Sequence, residues 1–348
     1  MNAAARPNFA TWPAGGYANV ALARRADPSR LQTLSGRTMG TTWTLKFDNP
    51  QMRPLAPIAQ AVEQALAQVI EQMSTWEPDS DISRYGRATP GSRCAVPPEF
   101  AQVLDCALHW AQASGGAIDP TVGPLVAWWG FGAEAQDPPA WPLRDPRLAS
   151  LADARARVGW HRIAFDRNTR TVLQPGGMAL DFSGVAKGFA VDHVVAALQA
   201  MEITQLLMEV GGELRGVGRR PDGSAWQVQV DAGDAPAPRI ALADLAIATS
   251  GDRWHGHTQG GRRWSHTIDP RTGEPASAAL ASVSVLHAQC MHADALATAL
   301  TVLGPVDGPA FADAHAVAAL FVCRDGHAQR LLASTAWHTH LALGAAPR

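Results

Sequence analysis

Asp294 and Thr298 are the residues of this chain whose types and spacing are best suited to hold a cation. They occupy positions i and i+4 of the segment MHADALATALTV (291–302), so a helix would place both side chains on one face. A carboxylate and a hydroxyl, completed by water and a ligand phosphate, form an oxygen set suited to Mg²⁺. The same pair also fits an ordinary helix, with an acidic first turn and a threonine that bonds back to the backbone.

The segment LDFSGVAKGFAVD (180–192) is a candidate phosphate site. It places a turn of small residues between a short apolar stretch and an amphipathic helix. Backbone N–H groups at such a helix start, together with the ammonium of Lys187, could bind an anionic phosphate. The alternative is an ordinary capped helix start without a ligand. The chain contains neither a Walker sequence nor a GxGxxG motif, so this segment is not one of those established phosphate-binding patterns.

His266, in the segment SHTIDPRTG (265–273), is the candidate proton acceptor. An imidazole beside polar groups can act as a general base near neutral pH. The same histidine could be purely structural, because it precedes a turn set by Asp-Pro and Gly. Trp76 lies among polar turn residues, where it could either stack on a planar aromatic ligand or fill a core.

Cysteine and histidine spacing gives no thiolate or zinc site. The four cysteines contain no CxxC pair, so neither a disulfide framework nor a thiolate metal site is expected. Two HxH pairs lack a third ligand at the usual spacing and are predicted to lie on the surface: His255/His257 and His338/His340.

Composition indicates a folded protein with a sizeable core. Hydrophobic residues make up 47% of the 348 residues and charged residues 17%, which excludes a wholly disordered or fibrous chain. Lys plus Arg total 29 and Asp plus Glu total 31, for a net charge of -2. No basic field would therefore attract nucleic acid or an anionic membrane.

Residues 1–33 are rich in Ala, Pro and Gly without periodicity, which predicts a flexible N-terminal arm. They contain neither the unbroken apolar core of a signal peptide nor a cysteine for lipidation. We therefore expect a cytoplasmic protein, or a periplasmic one if the start site is misassigned. No later uncharged apolar run reaches about 18 residues, so no membrane-spanning helix is expected.

Hydrophobic periodicity predicts the elements that position these residues. Regular structure is expected from near Leu34, with a strand at Thr41–Phe47, a helix at Pro57–Met73 and a second helical pattern from Phe100. The Trp- and Pro-rich stretch 128–146 is predicted to be irregular surface or a lid. Further strands are expected at Ile163–Phe165, Thr171–Leu173, Leu206–Val210, Trp226–Val230, Ala246–Ala248 and Ser282–Leu286, with helices near Lys187–Leu198 and Asp294–Leu303. Because strands often follow one another without a helix, an α+β fold with a largely antiparallel sheet is predicted.

The order and spacing of these motifs resemble one family, the FAD:protein FMN transferases or ApbE family. The resemblance begins at GRTMGT (36–41) and covers about residues 34–340. The other matching blocks are MSTWEPDSDISR (73–84), GGAIDPTVGPL (115–125), LDFSGVAKGFAVD (180–192), EVGGELRGVG (209–218), ATSGD (248–252), SHTIDPRTG (265–273) and ADALATAL (293–300).

The resemblance implies an α+β, T-fold-like architecture that forms one catalytic unit over residues 34–340. It also implies a Mg²⁺-dependent enzyme that transfers FMN from FAD to a Thr (or Ser) hydroxyl of an acceptor flavoprotein and releases AMP. That reaction suits the residues, since phosphoryl transfer relies on positioned charge, a metal and a base for the acceptor hydroxyl.

The resemblance also carries specific positions over to this chain. Gly184 through its carbonyl, Asp294 and Thr298 match the family's metal-binding positions, and His266 matches its histidine tied to transfer, as base or orienting group. Positions that match the family's FAD contacts are Met39, Trp76, Ala117, Ile118, Asp119, Asp181, Lys187 and Ile268. The family's usual Asn after Ser-Arg-x is replaced by Gly86, which removes one polar group from the first ligand loop.

Two other functions fit the same motifs. A Mg²⁺-dependent FAD pyrophosphatase would use the same metal and phosphate geometry with water as acceptor. A flavin-binding protein without turnover is the third reading, although such a protein needs neither a metal pair nor a base.

Overall fold

The computed structural model describes residues 30–132, 150–230, 238–251, 256–259, 262–325 and 328–345. Most of the predicted arm at 1–33, the greater part of the 128–146 stretch and His255 lie outside these described residues. The first described strand begins at Leu31, slightly ahead of the predicted start at Leu34.

The described residues form eight α-helices and seventeen β-strands. The helices are α1 (Leu55–Met73), α2 (Asp81–Arg87), α3 (Pro98–Ala113), α4 (Gly123–Trp128), α5 (Leu151–Ala156), α6 (Ala186–Ala200), α7 (Cys290–Ala314) and α8 (Thr335–Ala345). The strands are β1 (Leu31–Thr38), β2 (Thr41–Asp48), β3 (Arg93–Ala95), β4 (Phe165–Asp166), β5 (Thr171–Leu173), β6 (Leu206–Val210), β7 (Glu213–Val217), β8 (Trp226–Gln229), β9 (Arg239–Leu242), β10 (Leu245–Gly251), β11 (Gly256–Gln259), β12 (Arg262–Ser265), β13 (Ile268–Asp269), β14 (Glu274–Pro275), β15 (Leu280–His287), β16 (Ala318–Asp325) and β17 (Ala328–Ala333).

One large sheet forms the centre of the fold. Its eight strands run in the order β1-β2-β6-β7-β10-β15-β16-β17, and every neighbouring pair is antiparallel. This arrangement confirms the predicted α+β fold with a mainly antiparallel sheet and flanking helices. Small two- and three-stranded sheets lie around it.

Alternation along the strands separates two apolar layers. Leu206 and Met208 on β6 join the large core that also includes α1, α3, α6 and α7, whereas the intervening Leu207 faces a second core. That alternation is the period of two expected for a strand. The second core is closed by Trp226 of β8 and Trp337 of α8, both 1% exposed. The sheet is therefore covered on both faces.

Two local predictions were wrong. Ile163 is not in a strand, because residues 160–162 form a 3-10 turn whose end is fixed by the Ile163 N–H donating to the Trp160 carbonyl at 3.1 Å; β4 begins only at Phe165. Trp128 is not part of an irregular stretch. It ends α4, which begins at Gly123 with Pro124 in its first turn, a position that proline favours.

Helix α7, which carries Asp294 and Thr298, is the central helix of the core. By length and composition α7 could cross a membrane, but 56% of its apolar window is buried inside the protein. It packs against α3, α6, β10 and β15, and Gly304, with a φ of 81°, interrupts its helical backbone. Its apolar character is thus accounted for by burial within this fold.

Candidate active site

A cavity of ≈ 1780 Å³ opens between the start of α6, the first turns of α7 and the edges of the central sheet. Its wall also includes the β1–β2 turn, one face of α1 and the loop that follows α3. Every site residue predicted from the sequence lines this one cavity: Met39, Trp76, Ala117, Ile118, Asp119, Asp181, Gly184, Lys187, His266, Ile268, Asp294 and Thr298. Residues separated by more than two hundred positions in sequence thus meet in one place.

Helices α6 and α7 cross at Gly188, where their backbones are in contact. A Cβ at Gly188 would overlap the carbonyl oxygen of Cys290 and come within 2.8 Å of the Asp294 Cβ. The Gly188 N–H donates to Oδ2 of Asp294 at 2.9 Å. The close crossing therefore depends on a glycine, and it fixes the orientation of the Asp294 carboxylate.

Gly184 and Thr298 form a second close approach in the cavity wall. A Cβ at Gly184 would lie 2.7 Å from the Thr298 Oγ1, so the Thr298 hydroxyl packs directly on the Gly184 backbone. Thr298 is one helical turn beyond Asp294, and both line the cavity. The Asp294 carboxylate, the Thr298 hydroxyl and the Gly184 backbone thus belong to residues that line the same cavity, and such hard oxygen donors suit a small divalent cation.

Gly188→Ala is expected to destabilise the fold, because the added methyl group must push apart two backbones. Overpacking of this kind costs about 1–3 kcal/mol, which would appear as a lower midpoint in thermal or denaturant unfolding. Gly86→Ala is the matched control, since nothing lies within 4 Å of a Cβ at Gly86 on α2 and Ala is the better helix former. Equal stability of the two variants would contradict the backbone contact.

Asp192 anchors the start of α7 and was not singled out from the sequence. Its Oδ1 accepts from the Cys290 N–H at 3.1 Å and its Oδ2 from the Met291 N–H at 2.9 Å. Arg215 of β7 donates to the same carboxylate at 2.6 Å. Free N–H groups at a helix start need such acceptors, and here the acceptor comes from α6. Asp192 thus positions the helix that carries Asp294.

Lys187 and Glu213 form an ion pair in the cavity wall. Glu213 begins β7 immediately after the Gly211–Gly212 turn, and its side chain is 1% exposed, whereas that of Lys187 is 35% exposed. The Glu213 Oε2 is buried and has no hydrogen-bond partner among the described residues. In the sequence, Glu213 appeared only as a member of a matching block. Its ion pair with Lys187 could not be predicted, because it forms only when the β6–β7 hairpin packs against α6.

Burial and mutual charge shift the pKa values of these groups. Burial raises the pKa of Glu213, the Asp294 charge adds to this, and the Lys187 ammonium opposes it. Burial also raises the pKa of Asp294, against the opposing effects of Lys187 and the Gly188 N–H. For Lys187 burial lowers the pKa, but the two carboxylates outweigh it and raise the value above its usual range. The charges of two buried carboxylates thus act on one ammonium group, that of Lys187.

Met39 lies in a strained turn at the cavity rim. Met39 and Gly40 join β1 to β2 as a two-residue turn, with φ values of 47° and 71°. Positive φ at both positions is typical of hairpin turns, but a non-glycine residue adopts it at an energetic cost. The turn therefore presents Met39 in a fixed conformation at the cavity.

Asp119 lines the cavity, but both oxygens of its carboxylate accept hydrogen bonds from neighbouring loop residues. Its Oδ1 accepts from the N–H and hydroxyl of Thr121 at 2.8 and 2.6 Å, and its Oδ2 accepts from the Trp160 N–H at 2.9 Å. Burial raises its pKa, and these hydrogen bonds oppose the shift. The contacts tie the loop carrying Ala117 and Ile118 to the 3-10 turn, so Asp119 holds the shape of this wall.

Asp181 and Trp76 present more accessible groups to the cavity. Asp181 accepts from the Ser183 N–H at 2.7 Å, which shapes the turn leading into α6. Trp76 is 58% exposed, so the core alternative for this tryptophan is wrong. An exposed aromatic face at a cavity is available for stacking.

His266 follows β12 and is held by a short hairpin. The Gly273 N–H donates to the Asp269 carbonyl at 2.8 Å, and Trp129 Nε1 donates to the Gly273 carbonyl at 2.7 Å. Arg271 bonds both oxygens of the Asp269 carboxylate at 2.9 Å. These contacts fix the hairpin that follows His266, which is half-buried and lines the cavity.

The two HxH pairs were predicted to lie on the surface rather than to bind a metal. The described residues contain no group of three or more His, Cys, Asp or Glu that could hold a metal. His338 is exposed on α8, in keeping with a surface position, and the side chain of His257 lies outside the described residues. The four cysteines are free thiols in the structure.

Comparison with known proteins places this site in a family. The model of the ApbE family matches residues 39–321. The chain is 35% identical over 325 residues to a FAD:protein FMN transferase of Vibrio cholerae, covering 92% of this chain and 96% of the relative. A FAD:protein FMN transferase of Haemophilus influenzae is 34% identical over 296 residues, covering 82% of this chain and 84% of the relative.

Solved structures agree with this assignment. The apo flavinyl transferase ApbE of Pseudomonas stutzeri superposes with a TM-score of 0.81 at 33% identity, covering 91% of this chain and 98% of the other. The flavin transferase ApbE of Vibrio cholerae gives a TM-score of 0.81 at 34% identity, with 90% and 99% covered. Family model and solved structures thus match most of the chain, and the chain belongs to the ApbE family.

Proposed function

We propose that this protein transfers FMN from FAD to a Thr (or Ser) hydroxyl of an acceptor flavoprotein, in a Mg²⁺-dependent reaction that releases AMP. The observation that carries the proposal is the meeting of Asp294, Thr298, the Gly184 backbone, Lys187 and His266 on the wall of one cavity. Relatives named FAD:protein FMN transferase over most of the chain support the same reaction.

The size of the cavity supports a large substrate. Its volume of ≈ 1780 Å³ exceeds the roughly 300–1,000 Å³ of ordinary small-ligand pockets. The excess suits a dinucleotide that must meet part of a second protein. The exposed ring of Trp76 could cover a planar flavin, and Met39 lines the same wall.

Asp294, Thr298 and the Gly184 carbonyl would hold the Mg²⁺. Their oxygen chemistry fits this cation, which keeps several waters and usually shares substrate phosphates with one or two carboxylates. Bound there, the cation would neutralise charge on the phosphate oxygens. Lys187, with three donors on its ammonium, would also bind phosphate oxygens, and its ion pair with Glu213 holds its position.

The chemistry joins the acceptor oxygen to the phosphorus of the FMN half. As that bond forms, the bond from this phosphorus to the bridging oxygen breaks, and the bridging oxygen leaves with AMP. His266 accepts the proton of the attacking hydroxyl, a role for which a neutral imidazole is suited. The other residues of the cavity position the two substrates, and such positioning supplies most of the catalysis in phosphoryl transfer.

Intact mass spectrometry of an acceptor domain tests the proposal. After incubation with this protein, FAD and Mg²⁺, the acceptor is expected to gain the mass of one FMN, less one water. The gain should disappear when a chelator removes the divalent cation and when the acceptor's target threonine is replaced by alanine. AMP without any adduct would indicate the pyrophosphatase instead, and FAD left intact would indicate a flavin-binding protein.

A further inference from the structure

Lys187 is paired with one buried carboxylate and is the chain neighbour of the residue that binds a second. Its ammonium forms an ion pair with Glu213, and the next residue, Gly188, donates its N–H to Oδ2 of Asp294 at 2.9 Å. The Asp294 charge also raises the pKa of Lys187. Asp294 is 4% exposed and Glu213 is 1% exposed. Water screens such charges weakly when they are buried, so the position of this single ammonium decides how much negative charge Asp294 presents to the cavity.

Glu213 is more completely buried than Lys187. It pairs with Val210 across the tight turn between β6 and β7, where Gly211 and Gly212 have φ values of 59° and 104°. Its side chain is 1% exposed, whereas that of Lys187 is 35% exposed and ends four flexible carbons from the helix. The buried Glu213 carboxylate therefore sets where the Lys187 ammonium lies.

The unpaired oxygen of Glu213 gives a second, independent observation. Its Oε2 is buried without a hydrogen-bond partner among the described residues, and a buried unsatisfied acceptor is costly. A carboxylate kept for stability alone would be expected to satisfy both oxygens. The orphaned oxygen lies in a residue that lines the cavity, which points to a role in the site.

We infer that Glu213 is a positioning residue that holds the Lys187 ammonium away from Asp294 and so keeps the Asp294 carboxylate available to a divalent cation. Without the Glu213 charge, Asp294 becomes the strongest remaining attraction for the ammonium. The ammonium then competes with the cation for the same carboxylate. The inference rests on the proposed function, because it requires the cation site at Asp294 and Thr298.

Binding of Mn²⁺ alone, followed by electron paramagnetic resonance on the full chain, measures this competition without turnover. Glu213→Gln is expected to weaken Mn²⁺ binding by about 10- to 100-fold, the range typical for loss of a group that supports metal ligands. The double variant Glu213→Gln/Lys187→Met, which also removes the competing ammonium, is expected to recover binding to within a few-fold of wild type.

Glu209→Gln is the matched control for the loss of one negative charge. Glu209 lies in the same hairpin and lines the same cavity, but its Oε1 accepts from the Gly212 N–H at 2.9 Å and an amide oxygen can do the same. It should bind Mn²⁺ almost as tightly as wild type. Thermal unfolding of each variant confirms that the fold is retained.

Three results would overturn the inference, and they differ from one another. Unchanged Mn²⁺ affinity in Glu213→Gln would mean that Glu213 does not protect Asp294, and the proposed function would stand. Weak binding that persists in the double variant would make Glu213 a cation ligand itself. A wild-type protein without saturable Mn²⁺ binding would remove the cation site, and with it the Mg²⁺ dependence of the proposed function.

Discussion

Asp294→Asn is expected to lower the rate of flavin transfer by about 10³-fold, because a bound cation contributes several kcal/mol to phosphoryl transfer and about 1.4 kcal/mol corresponds to a factor of ten. The amide has the size of the carboxylate, and its oxygen can still accept from the Gly188 N–H that now bonds Oδ2. The fold should therefore persist while the charge is lost. Single-turnover formation of the acceptor adduct measures the effect.

Asp307→Asn is the control for this substitution. Asp307 lies on the same helix, α7, is exposed, and does not line the cavity. It should react at the wild-type rate with the wild-type dependence on Mg²⁺. If Asp294→Asn also kept its rate to within a few-fold, Asp294 would have no part in cation binding.

His266→Gln is expected to lower the rate constant for transfer by about 10²–10⁴-fold, the usual contribution of a general base. The glutamine fills similar space and forms hydrogen bonds but cannot accept the hydroxyl proton. FAD affinity, measured by quenching of flavin fluorescence, should change little.

His161→Gln separates this role from a general effect of losing a histidine. His161 is exposed in the 3-10 turn and does not line the cavity, so its replacement should leave the rate of transfer unchanged. A His266→Gln variant with weakened FAD binding and a normal rate constant would instead assign His266 to substrate binding.

The elements around the site could largely be predicted from the sequence. Strand Thr41–Asp48 alternates buried and more exposed residues, and Leu206–Val210 is a nearly continuous buried run, as expected for a strand covered on both faces. Ile163 and Trp128 were misassigned because a 3-10 turn and a proline-started short helix are set by local hydrogen bonds, which apolar periodicity does not encode. Strand order needed the three-dimensional structure.

The candidate site could be predicted residue by residue but not contact by contact. The matching blocks identify Lys187 and Asp294, yet the ion pair of Lys187 with Glu213 joins α6 to β7. The cap that Asp192 provides for α7 likewise joins two helices. For Asp119 the resemblance predicts a FAD contact, whereas in the structure its carboxylate accepts hydrogen bonds that support a loop. Partners distant in sequence are chosen by packing, which no local pattern specifies.

The most direct test of the proposed transfer is the ratio of AMP released to FMN attached in a single-turnover reaction. With FAD, Mg²⁺ and an acceptor domain, one AMP, quantified by chromatography, should form for each adduct counted by intact mass spectrometry. Without acceptor, AMP release should be far slower. AMP formed at the same rate with and without acceptor would contradict the transferase and establish hydrolysis of FAD as the reaction.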